Sequence, residues 1–177
     1  KVYSSEYIYT KEILLAKNII LSKPKKNLSW KMSGLNLQNF LGNIYSTGIN
    51  KIFLKKKIEK NKFTLFKIKT SLLTFKNYII FSDDNGTIFS INERGKINWK
   101  KNIYKNIYKN IYKNIYKNLT FSIYKNIIYV ADNIGFIYAI NFDTGNLVWI
   151  KNHEIPLKSN IKIFDGQIFL IDQDNQI

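Results

Sequence analysis

Ala139-Ile140-Asn141-Phe142-Asp143-Thr144-Gly145-Asn146-Leu147-Val148-Trp149 is the stretch that decides how this chain folds. It reads A-x-N-x-x-T-G-x-x-x-W: a strand, a glycine turn, then a second strand carrying tryptophan. A degenerate copy lies upstream, Ser90-Ile91-Asn92-Glu93-Arg94-Gly95-Lys96-Ile97-Asn98-Trp99, with the same spacing from glycine to tryptophan. Asn141 and Asp143 flank the turn, where such side chains accept hydrogen bonds from backbone N–H groups. Gly145 supplies a left-handed conformation that a Cβ disfavours. Trp149 is expected to lie between neighbouring units and bury ~150–250 Å². The motif therefore reads as structural. Ala139, Asn141, Asp143, Thr144, Gly145 and Trp149 form one docking point, and Gly95 and Trp99 form another. Trp30, in Asn27-Leu28-Ser29-Trp30-Lys31, is assigned the same part because that segment resembles Lys96-Ile97-Asn98-Trp99-Lys100.

Outward from the motif the repeat lengthens. Lys76-Asn77-Tyr78-Ile79-Ile80-Phe81-Ser82-Asp83, Lys125-Asn126-Ile127-Ile128-Tyr129-Val130-Ala131-Asp132 and Asp165-Gly166-Gln167-Ile168-Phe169-Leu170-Ile171-Asp172 each place a turn before a run of strand formers and an Asp. Gly86 and Gly135 follow the first two Asp residues and close hairpins. Asp132 and Asp172 lie 40 residues apart, which suits one blade of a β-propeller. Asp83 and Asp132 lie 49 apart, and the surplus falls in residues 102–118, where Asn-Ile-Tyr-Lys occurs four times before Asn118. Slippage in a tolerant loop or a lengthened hairpin explains that run more simply than a Lys/Tyr surface for nucleic acid or lipid headgroups.

The predicted fold is all-β: a partial β-propeller of four-stranded antiparallel blades, about two blades plus the start of a third. Residues 1–26 form an irregular N-terminal segment, with Pro24 a break. Residues 27–177 form the partial propeller. Within it, 27–70 hold a strand that closes the ring (27–32), a loop-rich connection and a hairpin built on Lys51–Leu54 and Phe63–Ile68. Residues 71–117 form the first blade, 118–154 the second and 155–177 an incomplete third. Ser71–Phe75, Asn118–Ser122 and Ile155–Ser159 are assigned as the innermost strands. Four blades at this period need roughly 160 residues, so the two repeats seen here predict a fragment of a longer protein. Such a fragment alone is expected to be an unstable monomer, because it exposes apolar blade faces.

The 28 Lys+Arg and 12 Asp+Glu give a formal charge of +16. That charge attracts anionic partners, yet Arg94 is the only arginine, and arginine is the residue suited to bidentate phosphate and base contacts. Richness in Lys, Asn and Ile together points to compositional drift, and no nucleic-acid partner is expected. The absence of Cys excludes disulfides, thiolate zinc sites and cysteine nucleophiles. His153, the only histidine, reads as a loop residue between blades rather than a base or ligand. Asp83, Asp84, Asp132, Asp172 and Asp174 read as turn residues rather than calcium ligands. No catalytic, cofactor-binding or metal-binding residue is assigned.

These residues resemble the PQQ-like propeller repeat with its tryptophan-docking motif. The repeat occurs in quinoprotein dehydrogenases and in BamB-type lipoproteins of the bacterial outer-membrane protein assembly machinery. The opening Leu28-Ser29-Trp30-Lys31-Met32-Ser33-Gly34 and the long loop after it are more similar to the BamB type. That resemblance implies a non-catalytic scaffold without cofactors, membrane-associated at full length on the periplasmic face of the outer membrane. It would dock there on the barrel-assembly subunit, with unfolded outer-membrane proteins as further partners. The alternatives are a quinoprotein dehydrogenase fragment and a basic propeller binding anionic lipid or nucleic acid. Ser90 in place of Ala, Gly95 without a preceding Thr, and the tetrapeptide run depart from the pattern.

Overall fold

Runs of β-branched and aromatic residues, broken every six to eight residues by Asn, Asp and Gly, leave the chain one regular option. The computed structural model describes residues 20–48, 51–58, 71–105 and 117–177, and its regular structure is all strand. The first blade comprises β1 (Leu73–Phe75), β2 (Tyr78–Ser82), β3 (Thr87–Asn92) and β4 (Ile97–Asn102). The second comprises β5 (Leu119–Tyr124), β6 (Ile127–Asp132), β7 (Phe136–Asn141) and β8 (Leu147–Asn152). Each is an antiparallel meander in sequence order. The third unit has β9 (Lys162–Phe164) and β10 (Gln167–Phe169), an antiparallel pair. The chain is thus a partial β-propeller.

Turn chemistry fixes the registers. Lys76 and Asn77 at the β1–β2 turn both have positive φ (48° and 63°), as do Asp165 and Gly166 at β9–β10. That geometry matches the right-handed twist of paired strands. At the next turn Asp83 Oδ1 accepts from the N–H groups of Asn85 and Thr87. Asp132 Oδ1 accepts from Ile134, Gly135 and Phe136. Both blades carry a register shift at the same repeat position, after Ser90 in β3 and after Ala139 in β7. The extra residue sets Ser90 opposite Trp99 and Ala139 opposite Trp149.

The main core lies between the two blades. Leu73, Ile80 and Ile88 of the first blade meet Leu119, Phe121, Ile128, Val130, Tyr138 and Ile140 of the second. A smaller cluster of Ala131, Leu157 and Ile161, with Tyr129, Ile137 and Ile168 against it, joins the second blade to the third unit. Sheet faces therefore pack in series, each blade supplying the cover its neighbour lacks.

Two assignments differ from the sequence reading. The innermost strand of the third unit is β9, not Ile155–Ser159. The Asp165-Gly166 turn pairs the residues directly before it, and Leu157 instead bridges Asp172. Residues 27–32, read as a ring-closing strand, lie along inner strands: Trp30 pairs with Thr74 of β1 and Met32 with Ser122 of β5. The segment continues to the third unit, where the Lys162 ammonium donates to Ser33 O (2.5 Å), Asn36 O (2.7 Å) and Asn39 Oδ1 (2.8 Å). Residues 30–39 thus strap the inner edges of all three units. Burial lowers the Lys162 pKa from its ordinary value. Lys51–Leu54 is not strand, and its expected hairpin partner, Phe63–Ile68, lies outside the described residues. So do residues 106–116 of the tetrapeptide run and most of the N-terminal segment.

Lys162→Met removes the three donors while keeping the aliphatic stem. Hydrogen–deuterium exchange should then quicken in β9, β10 and residues 33–39 and stay unchanged in β5–β7. Unchanged exchange in β9 and β10 would mean the strap carries no stability.

Candidate functional site

The described polar residues converge on the seams between units rather than on a cleft. At the first seam Trp99 of β4 lays its ring on the Gly145 turn and donates from Nε1 to Phe142 O at 2.8 Å. Gly145 has φ 71°, and a Cβ there would lie 2.6 Å from the indole. Glycine is required twice, by the backbone and by the ring above it. Asn141 Oδ1 accepts from the N–H groups of Asp143 and Thr144 and from the Thr144 hydroxyl, and its carbonyl accepts from Gly145 N. Asp143 holds the Asn126 side chain, and its carbonyl accepts from Asn98. The structure brings Trp99 onto the Asn141–Gly145 turn of the next blade.

The remaining docking residues stand elsewhere. Ala139 is fully buried opposite Trp149. Trp149 itself is 38% exposed and tilts against Tyr129, at 6.0 Å between ring centroids. Trp30 packs on the main core from the inner edge, its backbone N–H and C=O both bonded to Thr74. At the Gly95 turn no tryptophan docks. Leu54 and Lys56 lie against it, and Lys56 Nζ donates to Gly95 O at 2.6 Å.

Three contributors were invisible in the sequence. Phe142 stands at a motif position where any residue is allowed. It is buried edge-on against Phe75 (5.2 Å) and Tyr78 (6.0 Å) of the first blade. Tyr104 belongs to the first Asn-Ile-Tyr-Lys unit. It is 6% exposed and donates to Asp132 Oδ2 at 2.7 Å, which also accepts from Tyr138 at 3.1 Å. Burial, reinforced by the Asp132 charge, pushes the Tyr104 phenol far above its ordinary value, so it remains a donor. His153 meets Asp172 of the third unit at 3.0 Å. His153 first, then the Gln176 N–H, holds the Asp172 carboxyl below the usual carboxylate range. One cue was available: each repeat Asp has a second oxygen that its turn leaves unused.

Among the described residues no group of three or more His, Asp or Glu could hold a metal ion. The cavity lined by Lys25, Lys26, Asn36, Phe40 and Asn43 measures about 320 Å³ and is open to solvent.

No family model and no curated protein matches this chain. Solved structures do. BamB from Moraxella catarrhalis matches at 19% identity and TM-score 0.45, over 58% of this chain and 29% of that one. A computationally designed protein matches at 15% identity and TM-score 0.46, over 59% and 30%. A quinohemoprotein alcohol dehydrogenase from Pseudomonas putida matches at 11% identity and TM-score 0.44, over 58% and 17%. The chain spans less than a third of each of these structures. The blade assignment rests on the strand order and seams described above.

Phe142→Ala should cost about 3–5 kcal/mol, as a fully buried aromatic does, and equilibrium urea unfolding measures it. Ser90 is fully buried opposite Trp99, and its hydroxyl has no hydrogen-bond partner among the described residues. Ser90→Ala, which restores the residue found at Ala139, should raise stability by about 1 kcal/mol. A loss on that substitution would show the hydroxyl to be satisfied.

Proposed function

We propose that this chain is part of a non-catalytic propeller scaffold of the BamB type. It would work on the periplasmic face of the bacterial outer membrane and assist assembly of β-barrel proteins there. One observation carries the scaffold reading: the buried repeat carboxylates Asp132 and Asp172, with Tyr104 and His153 beside them, are committed to holding turns and blades. Asp132 fastens a turn with one oxygen and two tyrosines with the other. Asp172 fastens its turn through Gln176 and the previous blade through His153. A carboxylate so occupied is not available as a base or a ligand.

The finer assignment rests on the repeat motif and on the Leu28–Gly34 opening, which is similar to the BamB type. The partner would be the barrel-assembly subunit, with unfolded outer-membrane proteins as clients. The binding surface belongs to no residue assigned above, because the seam residues are spent on packing.

The complete gene product, used as bait in native outer-membrane extract, should recover the barrel-assembly subunit. The same purified bait should show no quinone absorbance and no quinone-dependent dye reduction. Bound quinone without the subunit would move the protein to the dehydrogenases. Salt-sensitive DNA binding alone would leave only the basic-propeller reading.

A further inference from the structure

Two ties occupy the same place in successive repeats. Each begins just past an outer strand, with Tyr104 after β4 and His153 after β8. Each ends on the repeat carboxylate of the next unit, Asp132 or Asp172. In each the other carboxylate oxygen caps a turn, through Ile134, Gly135 and Phe136 in one and Gln176 in the other. Both carboxylates are 1% exposed. The difference lies in the donor. A buried phenol keeps its proton at every physiological pH, whereas an imidazole changes charge between pH 5 and 8.

We propose that the His153–Asp172 pair is a pH-gated latch that fastens residues 155–177 to the second blade, built on a site that its neighbour fills with an ungated tyrosine. The imidazole is 40% exposed, so protons reach it. The latch sits where the third unit turns in: His153 N donates to Gly135 O, Asp172 pairs with Leu157, and Gln173 N donates to Pro156 O. The charged groups on the elements packed around it are Lys151 on β8, Glu154, Lys158 and Asp174. Lys158 is engaged with Asn175, Glu154 donates its backbone N–H to Asn152 Oδ1, and Asp174 reaches Asp172 through its backbone. Among the described residues, His153 is the one ionisable side chain that acts on the Asp172 carboxylate.

The sign follows from which forms bind. Asp172 has a depressed folded-state pKa, so its contribution is complete above the ordinary carboxylate range and drains away as pH falls through the lowered value. A charged imidazole adds an ion pair to the hydrogen bond, and a neutral one keeps the hydrogen bond alone. The latch is therefore tightest in mild acid, looser at pH 8 and open in strong acid. In the first blade's tie the donor is a phenol whose pKa is raised, so that donor keeps its proton from mild acid to pH 8.

Hydrogen–deuterium exchange of the full-length protein at pH 5.5 and pH 8, corrected for intrinsic rates, tests this. Protection of β9, β10 and the Leu157–Asp172 segment, relative to β5–β7, should be about two- to fivefold higher at pH 5.5, the range for a partly exposed pair. His153→Tyr, which imports the neighbouring donor, should flatten that dependence while keeping protection. His153 is the sole histidine, so its imidazole proton signals follow the same event by NMR. Asp172→Asn, which removes the carboxylate that the imidazole meets, should flatten the pH dependence of protection in β9 and β10. Equal pH profiles in wild type and His153→Tyr, or an unchanged pH dependence in Asp172→Asn, would overturn the latch.

Discussion

A four-stranded meander has two faces and no core of its own, so this structure depends on how closely one sheet can approach the next. One close approach is the Trp99 indole over the Gly145 turn. Closeness there is possible because the turn carries no Cβ and because Phe142 leaves its carbonyl pointing at the indole N–H. Phe142 then enters the first blade from the other side of the same turn, edge-on to Phe75 and Tyr78. One five-residue turn thus holds the seam by a ring on its back, a ring in its front and a hydrogen bond between.

Polar ties finish what packing begins. The repeat carboxylates at Asp132 and Asp172 face two ways, one oxygen inward to a turn and the other across to the preceding blade. A buried carboxylate is costly unless its lone pairs are met, and here meeting them joins two units. The inner edges are held differently, by the strap of residues 30–39 and the Lys162 ammonium among three oxygens. The seams are therefore fastened at the inner edge by backbone pairing and at the outer end by side chains.

Much of this was legible in the sequence, because strand periods and turn residues are local properties. The alternation around Ile80 and Val130, the Asp-x-x-Gly turns and the Asn-to-Trp motif led directly to β2, β3, β6 and β7, while the pairing of Trp99 with the Gly145 turn came only with the structure. Ile155–Ser159 was misplaced because a proline and a strand-like run outweighed the simpler rule that a tight turn pairs its immediate flanks. Trp30 shares its local sequence with Trp99 yet lies on an inner edge, since a pentapeptide does not record which sheet it joins. Phe142, Tyr104 and His153 act across 19 to 67 residues of sequence, on partners that only the stacking of blades brings near. The tetrapeptide run looked like filler, and its first unit proves to be part of the seam.

The strap has a further consequence, in time rather than in space. Lys162 and Ser33 are 129 residues apart, whereas inside each four-stranded sheet every strand pairs with its neighbours in sequence. Local meanders close quickly and distant contacts close late. On a ribosome, residues 30–39 emerge before the strands they join and are late to find all their partners. Each blade is complete before the segment made ahead of it has its final anchor. A segment made before the blades is therefore a late piece of the finished arc, and until Lys162 emerges the inner edge near β9 has no counterpart to hold.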